Sequence, residues 1–183
     1  MAEQNKEQVN LSSPTGGQGA FTTGELGVTI LAIESSCDET SASVCRDGII
    51  LSNYIANQKV HEQYGGVVPE LASRAHMQNI VPVVGVALKQ AGLHLAAIDA
   101  FAFTQAPGLI GSLLVGSQFA KSLSLALNKP LLAVHHMQAP VLANLIPERK
   151  PSFPFLCLTV SGGHTQIVVA NSSSDLKVIG ETL

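Results

Sequence analysis

Val160-Ser161-Gly162-Gly163-His164-Thr165-Gln166 stands between two short apolar runs, Phe155 to Thr159 and Ile167 to Ala170. Runs of that length with β-branched residues read as strands. The polar turn between them carries two adjacent glycines. Glycine takes φ > 0 and lets the backbone approach a ligand, so successive N–H groups can converge on an anion. The stretch has an earlier echo. Ile30-Leu31-Ala32-Ile33 leads into Glu34-Ser35-Ser36-Cys37-Asp38-Glu39-Thr40, then into Ser41-Ala42-Ser43-Val44. Strand, small polar turn, strand thus occurs twice. Two such hairpins facing each other would hold a nucleotide between two lobes.

Working outward, Val28 to Ile55 reads as three strands. The first is nearly all apolar and is expected to be central, covered on both faces. Asp47-Gly48 marks a tight hairpin between the second and third. Gly65-Gly66 and Pro69 precede a long helix over about Glu70 to Ala91, ended by Gly92. Pro82 predicts a kink or a break within it. Ile98 to Phe103 is a further strand, Gly111 to Leu127 a mostly buried helix, and Pro130 to Val134 another strand. A short helix follows around Val141 to Leu145, expected to begin at or just before Pro140 with that residue in its first turn. Glu148 to Pro154 is a loop or domain junction. The order βββ-α-β-α-β-α, then a new hairpin, is an α/β layout with an antiparallel start and parallel additions. It divides into a flexible polar tail over 1–27, one lobe over 28–150, and the start of a second over 151–183.

Composition narrows the class. Of 183 residues, 46% are hydrophobic and 13% charged, which excludes a largely disordered chain. A net charge of −3 announces no nucleic-acid binding by itself. Cys37, Cys45 and Cys157 form no CxxC pair, and with no secretory signal the simpler reading is a reduced, cytoplasmic protein. No apolar run is expected to span a membrane, since Lys89 and Gln90 interrupt one candidate and Gln118 and Lys121 another.

Several residue groups carry possible chemistry. A carboxylate in the turn at Asp38 and Glu39 can hold Mg²⁺ or its water shell against phosphates, though acidic turns are also common as plain turns. Ser161 to Gln166 offers free backbone and two hydroxyls for a phosphate, or glycines for turn geometry alone. Histidines at i and i+4 on a helix share a face and can grip one metal. Only His136 could begin such a pair, and position 140 is proline, which has no ligand atom. Thr104 to Gly111 joins a strand to a helix N-terminus, which favours an anion or is simply a compact connection. Arg74 and His76 read as a solvated helix face.

Together these residues resemble one family. Glu34 to Thr40, Gly65-Gly66-Val67-Val68-Pro69-Glu70-Leu71-Ala72-Ser73-Arg74, Pro107-Gly108-Leu109-Ile110-Gly111-Ser112-Leu113-Leu114-Val115-Gly116, His135-His136-Met137 and Ser161 to Gln166 stand in its order and spacing. The family is TsaD, also called Gcp or YgjD, the tRNA N6-adenosine threonylcarbamoyltransferases, and the match covers about Val28 to Leu183. The resemblance implies two actin-like (ribonuclease-H-like) lobes of the actin and sugar-kinase superfamily, a mixed sheet flanked by helices in the first lobe, and a cleft between them. It implies transfer of threonylcarbamoyl from threonylcarbamoyl-AMP to the adenosine 3′ of the anticodon in tRNAs that read codons beginning with A. It implies TsaB-like and TsaE-like partners, with TsaC making the adenylate. By motif position, Thr159, Val160, Ser161, Gly162 and Gly163 would contact the adenylate, Asp38 and Glu39 would be catalytic, and His136 would bind iron or zinc.

Three departures from the family pattern matter. The HxxxH motif reads His136-Met137-Gln138-Ala139-Pro140, so the second histidine ligand is replaced. Ala106 stands where the family has glycine. The sequence ends at Gly180-Glu181-Thr182-Leu183, where the family continues into an acidic segment and most of the second lobe, with a further aspartate ligand. The expectation is a chain inactive by itself, with restoration of histidine at 140 insufficient unless the second lobe is supplied. The alternatives are a noncatalytic TsaB-like partner or scaffold, a metallopeptidase, and a small-molecule kinase of the same superfamily.

Overall fold

The computed structural model describes residues 27–146, 150–160 and 165–182. The expectation for the N-terminal tail lies almost wholly outside the described residues, as does the tip of the second hairpin, Ser161 to His164. Eleven elements follow in order: β1 (Thr29–Glu34), β2 (Thr40–Arg46), β3 (Ile49–Ala56), α1 (Pro69–Gln90), β4 (Ala100–Ala106), α2 (Ile110–Leu127), β5 (Leu131–His135), α3 (Ala139–Ala143), β6 (Phe155–Val160), β7 (Thr165–Ala170) and β8 (Leu176–Thr182). Short 3₁₀ turns at Lys59–Tyr64 and Leu95–Ala97 join them. The expected order of strands and helices is met. β8 adds a strand that the sequence reading did not assign, and the strand expected from Ile98 begins at Ala100.

The first sheet has the order β3-β2-β1-β4-β5. β1 pairs antiparallel with β2 and parallel with β4. This is the mixed sheet anticipated from an antiparallel meander followed by helical crossovers. Thr29, Leu31 and Ile33 of β1 are buried, while Ile30, Ala32 and Glu34 on the other face are half-buried, so only one face is fully covered. The β2–β3 hairpin turns at Asp47 (φ 51°) and Gly48 (φ 80°). Two consecutive left-handed residues match the twist of the flanking strands, which is why Asp-Gly suits this turn.

α1 presents Ala72, His76, Ile80, Val83, Val84 and Ala87 to the sheet. The helix closes on Gly92 (φ 66°), with Leu93 N–H donating to the Leu88 carbonyl and Gly92 N–H to that of Lys89. That is a Schellman end. The expected break at Pro82 does not occur, for α1 runs through it. Pro82 lies on the exposed face, where water can satisfy the Gln78 carbonyl left without its helical partner.

α2 corrects a second expectation. Only Ser112, Gly116, Ser117 and Ala120 are buried, while Ile110, Leu114 and Leu125 are exposed by 77%, 51% and 85%. The contact stripe is made of small residues, so the helix lies close to the sheet on a narrow face. By length and composition alone α2 is apolar enough to cross a membrane, against the sequence reading, but here it packs on β4 and α1.

The core joins Leu31, Ile33, Ala42 and Val44 of the sheet to Ile80, Val83, Val84 and Ala87 of α1, with Ile98, Phe101, Phe103 and Ala120 of α2 in the same cluster. The second sheet, β6-β7-β8, is antiparallel throughout. Val141 of α3 packs with its Val168 and Ala170 in a smaller cluster. As expected, Pro140 sits in the first turn of α3, which begins at Ala139 after a turn from β5.

Candidate functional site

β1, β4 and β5 are mutually parallel, so their carboxyl ends lie together, the end of such sheets where ligands bind. Each strand delivers one polar group there. Glu34 ends β1, Thr104 lies near the end of β4, and His136 follows β5. The Glu34 carboxylate accepts from the Ser36 backbone N–H and from the Thr104 hydroxyl. His136 Nδ1 lies 3.5 Å from Glu34 Oε2 and 3.2 Å from Ser36 Oγ. Burial opposes ionisation of Glu34, but hydrogen bonds from His136, Ser36 and Thr104 outweigh it and hold the carboxyl at about 2. The same carboxylate raises His136 above the ordinary imidazole range, against the effect of burial.

Backbone bonds tie the loops to this cluster. His136 N–H donates to the Ala106 carbonyl (2.7 Å) and Leu109 N–H to that of Ser36 (2.7 Å). Gly108 permits the second contact, because a Cβ there would stand 2.5 Å from the Ser36 oxygen. A cavity of about 590 Å³ opens beside the cluster, lined among others by Glu34, Ser36, Cys37, Glu39, His136 and Pro140.

Among the sequence candidates, Glu39 and His136 meet in this cavity. Asp38 is half-buried beside Cys37 and is not among the lining residues. Burial, then the Asp38 carboxylate, push the Cys37 thiol up. Thr159 is buried, with its hydroxyl directed at the Gln166 carbonyl across the hairpin, and Val160 is 73% exposed. Ser161, Gly162 and Gly163 lie outside the described residues. Glu34, Ser36 and Thr104 stand inside segments that the sequence singles out, but nothing there assigns any of the three a role of its own. The available signal was a carboxylate closing an apolar strand, a charge that needs partners.

The reading of His76 as solvated is overturned. It is fully buried, with Nδ1 2.7 Å from Thr40 Oγ1 and Nε2 3.0 Å from the Cys37 carbonyl. Its place one turn from both Ala72 and Ile80 puts it on the core stripe.

The residues present do not fit the iron or zinc that the resemblance implies. Pro140 offers no side-chain donor atom where the family's second histidine stands, and the described residues contain no group of three His, Cys, Asp or Glu that could hold a metal.

A family profile described as TsaD, tRNA N6-adenosine threonylcarbamoyltransferase, matches residues 49–183. This chain belongs to the TsaD family. A relative from Christiangramia forsetii named tRNA N6-adenosine threonylcarbamoyltransferase is 61% identical over 159 residues, covering 85% of this chain and 47% of the relative. One from Porphyromonas gingivalis with the same name is 60% identical over 161 residues, with the same coverage. The chain therefore spans about half the length of the curated TsaD relatives it matches. Among solved structures, YeaZ from Pseudomonas aeruginosa aligns with a TM-score of 0.57 at 21% identity, over 85% of this chain and 66% of YeaZ. That likeness shows a shared fold.

Proposed function

We propose that this chain supplies the first half of a threonylcarbamoyl-AMP site and, with histidine restored at Pro140 and joined to a second half of TsaD type, transfers threonylcarbamoyl to the N6 amine of the adenosine 3′ of the anticodon. The observation that carries this is the meeting of Glu39 and His136 in one cavity at the carboxyl ends of β1, β4 and β5, in a chain of this family. The carbamoyl donor is already activated, so the site needs no protein nucleophile. The adenine amine forms the new C–N bond, AMP departs with the electrons of the broken C–O bond, and the amine loses a proton. The Glu39 carboxylate, exposed on the cavity, is the group we assign to receive it, or to hold Mg²⁺ against the phosphate. Backbone N–H groups of Ser161 to Gly163 would stabilise the departing phosphate, with Thr159 and Val160 as their support, and positioning supplies much of the rest.

The described residues do not fit iron or zinc, so no step is routed through a metal. In this reading the β6–β8 sheet begins the second lobe, and threonylcarbamoyl-AMP, tRNA and TsaB-like and TsaE-like proteins are the partners, in the cytoplasm.

The chain alone, mixed with threonylcarbamoyl-AMP and substrate tRNA, should show no turnover, and neither should Pro140→His alone. A chimera of the Pro140→His chain with the remaining half of the Christiangramia relative should modify tRNA. Silence from that folded chimera overturns the proposal.

A further inference from the structure

The β1–β2 ladder ends at the pair Glu34–Ser41, so no bond between those strands restrains the loop that joins them. Two helices restrain it instead. Leu109, just ahead of α2, takes the Ser36 carbonyl, and His76 of α1 takes the next one. The Cys37 carbonyl can only accept, so His76 Nε2 carries the hydrogen and donates across 3.0 Å. Nδ1 then offers its lone pair to the Thr40 hydroxyl, 2.7 Å away. One ring thus touches the loop at Cys37 and the first residue of β2, Thr40, and Asp38 and Glu39 are the two residues between those contacts. Thr40 and His76 are both fully buried, so water does not compete for the bond between them, while the bond to the carbonyl of the exposed Cys37 is part-buried. A leucine at 76 has similar bulk but would leave the Cys37 carbonyl without this donor and the buried Thr40 hydroxyl without this acceptor.

The geometry points to His76 as a positioning residue, whose Nε2–H tautomer clamps both ends of the Asp38–Glu39 pair and sets where those carboxylates stand. The role of the carboxylates rests on the function proposed above; the clamp does not.

Two measurements test it. In the chain as it stands, side-chain ¹⁵N NMR should show His76 as the Nε2–H tautomer. Thr40→Val should shift the Nδ1 resonance while the amide resonances of β1 and β4 stay in place. An Nδ1–H tautomer, or an Nδ1 resonance indifferent to Thr40→Val, overturns the clamp. In the Pro140→His chimera, His76→Leu should lower kcat on the order of a hundredfold with little change in KM for tRNA. His76→Gln, whose amide still donates toward Cys37, should recover part of the loss. Unchanged kcat in a folded His76→Leu chimera overturns the assignment; if that variant does not fold, Thr40→Val in the chimera gives the same readout. A chimera silent with His76 intact counts against the proposed function, and the NMR result then decides the clamp.

Discussion

At the scale of single residues, the site depends on places where a side chain is missing or fully matched. Gly116 of α2 faces Ser35, and a Cβ there would stand 2.3 Å from the Ser35 hydroxyl oxygen. That hydroxyl donates to the Ser112 carbonyl at 2.8 Å inside the core. Gly116→Ala should push it off this bond and destabilise the fold by about 1–3 kcal/mol, measured by urea unfolding. Glu34 has a pH signature. Its carboxyl is held at about 2 from an ordinary 4.5, so its contribution to stability is present above 4.5 and is lost as pH falls through about 2. The stability difference between the native chain and Glu34→Gln should therefore shrink as pH is lowered across that window. A difference independent of pH would show that the Glu34 bonds do not favour the ionised form.

At the scale of elements, α1 offers two contrasting tests. Pro82 sits in the helix interior on the exposed face. Pro82→Ala should restore one helical hydrogen bond and stabilise the chain by about 2 kcal/mol, after allowing for the stiffness proline gives the unfolded state. The exposed Glu70–Arg74 pair, one helical turn apart at 2.8 Å, is a weak contributor by comparison. Glu70→Ala should cost no more than about 0.5 kcal/mol in the same measurement. Elements with strong periodicity were legible in the sequence: β1 and β2 from their apolar pattern, the Asp47-Gly48 hairpin from its turn chemistry, α1 from its stripe. The errors have physical causes. The polarity of His76 points to the surface, whereas its position one turn from Ala72 and Ile80 puts it in the core. α2 carries more apolar residues than its narrow contact face uses, so its composition overstates its burial. β8 was missed because Leu176 to Thr182 mixes Lys177, Gly180 and Glu181 into an otherwise apolar run. Of the site, Glu39 and His136 were legible as motif members. The carboxylate that orders His136 was not, since pairing Glu34 with His136 and Thr104 depends on strand order.

At the scale of the whole molecule, the two sheets differ in how much they conceal. One face of the first is covered by α1 and α2, whereas Leu156, Leu158 and Val160 on alternate positions of β6 remain 68%, 63% and 73% exposed. β6 is also an edge of its sheet among the described residues. An exposed apolar edge invites pairing with another chain. Leu158→Lys should lower concentration-dependent association in sedimentation without changing the unfolding midpoint appreciably.

The strand order also sets a timetable for synthesis. β1 acquires β2 as a neighbour within a few residues of leaving the ribosome. Its opposite edge stays open until β4 emerges, because Ile30 pairs with Ala100 and Glu34 bonds to Thr104 some 70 residues further on. During that interval the innermost strand of the finished sheet is an outermost one, with unpaired N–H and C=O groups along an apolar ribbon. A nascent chain stalled before β4 therefore exposes an apolar edge that the finished sheet pairs, and a chaperone that shields β1 would act on a surface that the finished protein never shows.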